Sequence, residues 1–108
     1  MSGRRLLGIS AMGLVSPIGS NPRAVTRALF EGTRAGLVAR DDLHPHRSVK
    51  VGAVPDELPA TPAAAMSLDC RNNRLMLAAL LQIEALVEDA ARHYGRDRIA
   101  IVVGTSTA

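Results

Sequence analysis

The sequence predicts an α/β protein, and three features of the chain support this fold class. Between Ser67 and Tyr94, apolar residues recur every three or four positions, which is the period of a helix. Ile99–Val103 is wholly apolar and mostly β-branched, which is typical of a strand buried on both faces. A further apolar run, Leu6–Ser10, also predicts a strand. Helix and strand signals therefore alternate along the chain, as in α/β proteins.

Composition limits the function classes that need to be considered. The chain has 108 residues, enough for one domain, and its hydrophobic content of 47% indicates a globular protein. The net charge of +3 rests on 13 scattered Lys and Arg residues, without neighbouring aromatics that would stack on bases. We therefore expect no nucleic-acid partner. The single cysteine excludes an internal disulfide, and we expect neither a bound metal nor any other cofactor.

The first segment of the chain has two interpretations. Arg4 and Arg5 precede the apolar stretch Leu6–Val15, an arrangement that also occurs in twin-arginine export signals. Glycines interrupt this stretch and no cleavage site follows it, so we favour the strand at Leu6–Ser10. With no run of 18 apolar residues, the chain is expected to span no membrane and to be cytoplasmic.

A turn and a short helix are expected next. Ala11–Ser20 contains glycine, proline and serine but no nucleotide-binding glycine motif, so we interpret it as a turn cluster. Asn21 is a suitable helix cap, Pro22 suits the first helical turn, and Gly32 is expected to end the helix.

The stretch Thr33–Met66 is the least regular part of the sequence. Alternation of apolar and polar residues predicts one strand within it, at Ser48–Val54. The proline- and alanine-rich segment Leu58–Ala65 indicates a linker. His44 and His46 are expected to be surface residues, since two histidines without a third ligand make a poor metal site.

A single long helix of about 25 residues is predicted after this stretch. Ser67 or Asp69 is expected to cap its start, and Gly95 to end it. Glu88 and Arg92 are spaced for an ion pair on its surface. Its first half is apolar nearly all round, which predicts that neighbouring structure covers more than one face.

Two places in the sequence suggest chemistry. Gly104, Thr105, Ser106 and Thr107 follow the strand at Ile99–Val103, where backbone N–H groups and hydroxyls could hold an anion or simply connect two elements. Cys70 lies at the start of the long helix, where the helix dipole favours a thiolate. We interpret Cys70 as a half-buried structural residue, because no histidine is placed beside it by the sequence.

The paired carboxylates at Asp41–Asp42, Asp56–Glu57 and Glu88–Asp89 are expected to be solvated.

Three stretches of the chain resemble the N-terminal part of the β-ketoacyl-acyl-carrier-protein synthases, the condensing enzymes of fatty-acid and polyketide synthesis. LLGISAMGLVSPIGSNP is similar to the family's opening strand and its G-x-V-S-P-x-G loop, and ALFEGTRAG to its helix end and following turn. RNNRLMLAALLQIEALVEDA and RIAIVVGTSTA are similar to its alanine-rich helix and the strand ending in Gly-Thr. The segment SLDCRNNRLMLAALLQI most resembles the ketosynthases of aryl-polyene-type pathways.

The resemblance implies a thiolase-like α-β-α-β-α fold and decarboxylative Claisen condensation of an acyl thioester with malonyl-acyl-carrier protein. It implies an acyl carrier protein as partner and a dimeric assembly. We expect residues 1–108 to be an incomplete N-terminal portion of that fold, interrupted after the strand at 98–103. Cys70 matches a variable position, so we expect no catalytic residue in this chain and no condensing activity from it alone. The alternatives are a non-catalytic module that pairs with a complete ketosynthase, and a small anion-binding α/β protein.

Overall fold

A computed structural model describes residues 3–54 and 57–106, and the described chain is a mixed α/β structure with one small sheet. The helices are α1 (Pro22–Glu31), α2 (Arg71–Leu81) and α3 (Glu84–Tyr94), the strands are β1 (Leu37–Arg40) and β2 (Val49–Gly52), and the 3-10 helices are Ala63–Leu68 and Arg96–Arg98. The predicted α/β class is therefore confirmed at this level, although the strand order differs from the prediction.

The helix α1 confirms the local signals in the sequence. The Asn21 side-chain oxygen accepts a hydrogen bond of 2.9 Å from the Ala24 N–H, which satisfies one of the unpaired amides of the first turn. Pro22 occupies the first helical position, where its missing N–H costs nothing. Gly32 ends the helix with a φ of 64°, a left-handed conformation that glycine adopts without a Cβ penalty.

The two strands form an antiparallel hairpin. Leu37 pairs with Gly52 and Arg40 with Val49, so the register is complete over four residues of each strand. The strand predicted at Ser48–Val54 is confirmed by β2. The strand β1 is absent from the prediction, because its four residues LVAR are too few to give a periodic signal.

Close backbone contacts organise the loop Gly13–Gly19, which we call the glycine loop. A Cβ on Gly13 would lie 1.9 Å from the Ala79 carbonyl oxygen in α2, and a Cβ on Gly36 would lie 2.1 Å from the Pro17 carbonyl oxygen. Glycine is therefore required at both positions, because any side chain would force the two backbones apart. The loop is thereby held between α2 and the beginning of the hairpin.

The long helix predicted from Ser67 to Gly95 is interrupted. The helix α2 ends at Leu81, and α3 begins at Glu84 after a turn at Gln82 and Ile83. Ile83 has φ −116° and ψ 4°, which is outside the helical region. The prediction of one continuous helix is therefore wrong, although no glycine or proline marks the break.

The ends of this helical segment also differ in part from the prediction. Cys70, rather than Ser67 or Asp69, is the residue at the cap position of α2, and it makes no side-chain capping bond. The helix α3 ends at Gly95, as predicted, with a positive φ of 89° and a bond from its N–H to the Ala91 carbonyl.

The strands predicted at Leu6–Ser10 and Ile99–Val103 are not observed. Leu7 is 97% exposed and Val102 is 94% exposed. Neither segment has a neighbouring strand within the described part of the chain. A strand exists only through backbone bonds to a partner, so apolar sequence alone does not produce one. The predicted linker Leu58–Ala65 in turn runs into the 3-10 helix at Ala63–Leu68.

The described chain is extended and has little core. Its radius of gyration is 18.1 Å, against about 13 Å for a compact domain of this length. Val25 and Ala28 of α1 are the buried apolar residues within residues 3–54 and 57–106. Met76 is 55% exposed and Leu86 is 51% exposed, so the apolar surfaces of α2 and α3 lack the cover that the sequence predicted they need.

Replacement of the α1 cap tests the local origin of this helix. We expect Asn21→Ala to destabilise α1 by about 1 kcal/mol, because the Ala24 amide loses its acceptor. Hydrogen exchange of the α1 amides followed by mass spectrometry should accelerate roughly fivefold. Asn21→Asp keeps a side-chain acceptor and should exchange like the wild type. Equal exchange in Asn21→Ala and the wild type would contradict the capping role.

The exposed apolar surface predicts the behaviour of the 108-residue chain expressed alone. We expect it to bind the dye ANS strongly and to melt over a broad range, because its large apolar side chains face solvent. Fluorescence titration and a thermal scan by circular dichroism measure both properties. A sharp, reversible melt of a monomer that binds no dye would contradict the expectation.

Candidate functional site

The predicted anion-binding loop lies on an exposed part of the chain. Gly104, Thr105 and Ser106 are exposed, and a Cβ on Gly104 would meet nothing within 4 Å. Thr107 lies outside the described residues. The role of this loop, whether close to a substrate or purely connecting, stays a prediction.

Cys70 is located at the start of α2, as predicted, but it is exposed rather than half-buried. It lines an open depression of about 350 Å³ together with Asp69, Arg71 and Arg74. A thiol in this position is accessible to solvent.

Asp69 forms an ion pair that the sequence did not reveal. Arg74 donates two hydrogen bonds of 2.7 Å, one to each carboxylate oxygen of Asp69, and Thr61 donates a third. The bonds from Arg74, followed by the bond from Thr61, lower the pKa of Asp69 to about 2. The partners lie five and eight residues away from Asp69, which is not a spacing that local sequence patterns report.

Further bonds tie the start of α2 to the preceding chain. The Asn73 side chain donates to the Leu68 carbonyl at 2.7 Å, and Arg71 donates to the Val54 carbonyl at 3.4 Å. Together with the Asp69–Arg74 pair, these bonds orient α2 relative to the 3-10 helix Ala63–Leu68. This cluster therefore positions a helix, and none of its polar groups is arranged as an acid, a base and a nucleophile.

The histidines of the irregular stretch are bonded to each other locally. The His46 backbone N–H donates to His44 Nδ1 at 3.2 Å, and the two ring centroids are 6.1 Å apart. Within the described ranges, no three histidine, cysteine or acidic side chains are grouped to hold a metal ion.

One member of each of two acidic pairs, Asp42 and Asp89, takes part in an exposed ion pair. Arg40 donates to Asp42, with a distance of 2.6 Å between Nε and Oδ1, and this bond lowers the pKa of Asp42 to about 2. Arg92 pairs with Asp89, three residues earlier, instead of with Glu88 as predicted. Asp56 lies outside the described residues. Exposed pairs of this kind contribute little to stability.

An apolar groove lies between the 3-10 helix Ala63–Leu68 and α2. It encloses about 420 Å³, and its apolar lining comes from Pro62, Ala65, Leu68, Met76, Leu77 and Leu80. Met76 and Leu80 are about half exposed at 55% and 47%. The dominant property of this side of the molecule is therefore uncovered apolar surface rather than a polar reaction centre.

The helices of the described chain, α1 to α3 and the 3-10 turns alike, are each too short or too polar to traverse a lipid bilayer.

Comparisons with known proteins identify a solved structure that is similar to most of this chain. No protein-family model matches the chain, and no curated protein does either. A chain of the solved complex between a ketosynthase (ApeO) and its chain length factor (ApeC) from Xenorhabdus doucetiae is 38% identical, with a TM-score of 0.75. The similarity covers 82% of the present chain and 22% of that chain, so the present chain spans about a fifth of the relative's length.

The Asp69 ion pair predicts a measurable pH dependence. Since the pKa of Asp69 in the folded chain is lowered to about 2, the pair stabilises the fold at pH values above about 4. That contribution should decrease as the pH falls from about 4 through about 2, because the carboxylate becomes protonated. Carboxyl carbon chemical shifts measured by NMR against pH report this titration directly.

Substitution of Arg74 tests the cause of the lowered pKa. We expect Arg74→Met to raise the pKa of Asp69 towards its ordinary value of 3.8. Arg92→Met is the matched control, since Arg92 pairs with Asp89 and should leave Asp69 unchanged. An Asp69 that titrates at its ordinary value in the wild type would contradict the structural assignment.

Proposed function

Because the chain is ketosynthase-like, we propose that it forms the first part of a ketosynthase-type subunit, the N-terminal portion of a thiolase-like α-β-α-β-α fold. The reaction of the complete subunit is decarboxylative Claisen condensation of an acyl thioester with malonyl-acyl-carrier protein, and its pathway is of the aryl-polyene type. The single observation that carries the proposal is 38% identity with a TM-score of 0.75 over most of this chain.

Exposed apolar surface supports the proposal that this chain is one portion of a larger unit. Leu6 and Ile9 are 93% and 88% exposed, and Ile101 is 86% exposed. A stable soluble domain rarely leaves such residues uncovered. The remaining portion of the subunit supplies strands for these segments and helices that cover α2 and α3.

In this proposal, the catalytic residues of the complete subunit lie outside residues 1–108. In the family that the chain resembles, a cysteine accepts the acyl group, and two histidines act on the malonyl thioester. Such groups act together, so a portion without them has no condensing activity. The contribution of the present chain is structural, and the segment Gly104–Thr107 either lies close to the substrate or connects two elements of the complete fold.

The proposed partners follow from the same relationship. An acyl carrier protein delivers the substrate, and the complete subunit works in a dimeric assembly in the cytoplasm. The solved relative belongs to a complex of a ketosynthase with its chain length factor. That observation also favours a second candidate, in which the 108-residue chain is a non-catalytic module that pairs with a separate ketosynthase.

Detection of the native polypeptide distinguishes the two candidates. An antibody raised against this chain should detect, in cells that express the native gene, a polypeptide several times larger than 11.4 kDa. That polypeptide, purified, should form carbon–carbon bonds from acyl- and malonyl-loaded carrier proteins, whereas the 108-residue chain should form none. Product release is followed by mass spectrometry of the carrier proteins.

Two results would overturn the proposal. An 11.4 kDa band that co-purifies with a separate ketosynthase would favour the pairing module instead. Condensation by the 108-residue chain itself would show that catalytic groups lie within it.

A further inference from the structure

The break between α2 and α3 has no cause in the local sequence. Residues 71–94 contain neither glycine nor proline, and the residues around the break, LLQIEAL, are good helix formers or tolerated in helices. Breaks in helices normally have an identifiable cause, such as proline or an inserted group. The cause in this chain must therefore come from a contact with another part of the molecule.

The Gln82 side chain makes that contact with the glycine loop and its flank. Its oxygen accepts a bond of 3.2 Å from the Leu14 N–H, and its nitrogen donates to the Leu14 carbonyl at 3.1 Å. The same nitrogen donates to the Ser20 carbonyl at 2.8 Å. One amide side chain at the end of α2 therefore satisfies both backbone groups of Leu14, as a neighbouring strand would.

The same contact occupies the carbonyls that would continue the helix. In a continuous helix, the Ala78 and Ala79 carbonyls accept from the amides four residues later. Here the Gln82 side-chain nitrogen donates to the Ala78 carbonyl at 3.4 Å. The Ala79 carbonyl, beside which there is no room for a Cβ on Gly13, accepts from the Gln82 backbone N–H at 3.3 Å, three residues later. The Ile83 N–H consequently donates to Leu80, three residues earlier, at 3.0 Å.

We propose that docking of the glycine loop holds residues 71–94 as two helices, and that undocking the loop lets them form one continuous helix. The segment is then a two-state element, and the loop acts on it as a ligand that binds only the broken form. Whatever displaces the loop changes the relative direction of α2 and α3, and with it the arrangement of their exposed apolar side chains. The inference concerns this chain's own contacts and does not depend on the proposed condensation chemistry.

Hydrogen exchange at single amides distinguishes the docked state with two helices from the undocked state with one helix, because different amides are protected in each. The Leu14 amide is bonded to Gln82 only when the loop is docked. Glu84 and Ala85 occupy the first turn of α3, where amides lack an acceptor within the helix, but in a continuous helix they would donate to Leu80 and Leu81. Undocking should therefore expose Leu14 and protect Glu84 and Ala85.

Two substitutions undock the loop by different means. Gln82→Ala removes the bonds to Leu14 and Ser20, and Gly13→Ala places a methyl group against the Ala79 carbonyl. In each, exchange should accelerate roughly tenfold at Leu14 and slow roughly tenfold at Glu84 and Ala85. The helical signal in circular dichroism at 222 nm should increase as well.

Matched controls separate this effect from helix propensity. Glu88→Ala introduces alanine on the surface of α3, and Gly8→Ala introduces it where nothing lies within 4 Å. Neither should change exchange at Leu14, Glu84 or Ala85. Gln82→Met keeps a long side chain that favours helix formation but neither donates to nor accepts from Leu14, so it should behave like Gln82→Ala.

Several results would overturn the proposal. The first is slow exchange at Glu84 and Ala85 in the wild-type chain. The second is a variant that exposes Leu14 while Glu84 and Ala85 stay unprotected. The third is a variant in which the helical signal of α2 and α3 is lost altogether. The first would mean that the helix is continuous with the loop in place. The second would mean that the break does not depend on the loop. The third would mean that α2 and α3 need the docked loop in order to form at all, so that undocking cannot give one continuous helix.

Discussion

Backbone-to-backbone contact at the glycine loop is the constraint on which the rest of this structure depends. Gly13 lies against α2, and Pro17 lies against Gly36 at the start of the hairpin. Side chains at Gly13 or Gly36 would separate these elements, so the loop can connect them only with glycine at both positions. Leu14 in the same loop donates to and accepts from the Gln82 side chain, so the loop joins the first third of the chain to the end of α2.

Hydrophobic burial, by contrast, contributes unusually little within this chain. Two residues of α1 are buried in the described chain, while Leu7, Phe30 and Val102 are each more than 90% exposed. Burial is the dominant favourable term in folding, so a chain with so little of it depends on cover from elsewhere. The similarity to a ketosynthase accounts for the exposed apolar side chains, because most of the matched relative lies outside the aligned segment.

Polar contacts orient neighbouring segments of the chain but contribute little to its overall stability. The three salt bridges of the described chain, Arg40–Asp42, Arg74–Asp69 and Arg92–Asp89, join residues at most five positions apart. Solvent screens such pairs, and they link no distant elements. The cluster around Asp69 still matters locally, because it determines how α2 leaves the 3-10 helix before it. It provides geometry for a scaffold and no arrangement suited to catalysis.

What the sequence by itself determined were features whose causes are local: the α1 helix with Asn21 and Gly32 at its ends, the strand β2, and the family resemblance of the loop motif. Only the tertiary structure decided the partner strand β1, the break at Gln82, and the absence of strands at Leu6–Ser10 and Ile99–Val103. A capping bond joins residues three positions apart, so a short stretch of sequence is enough to predict it. A strand or an interrupted helix depends on groups far along the chain, such as Leu14 for Gln82, whose approach no local pattern encodes.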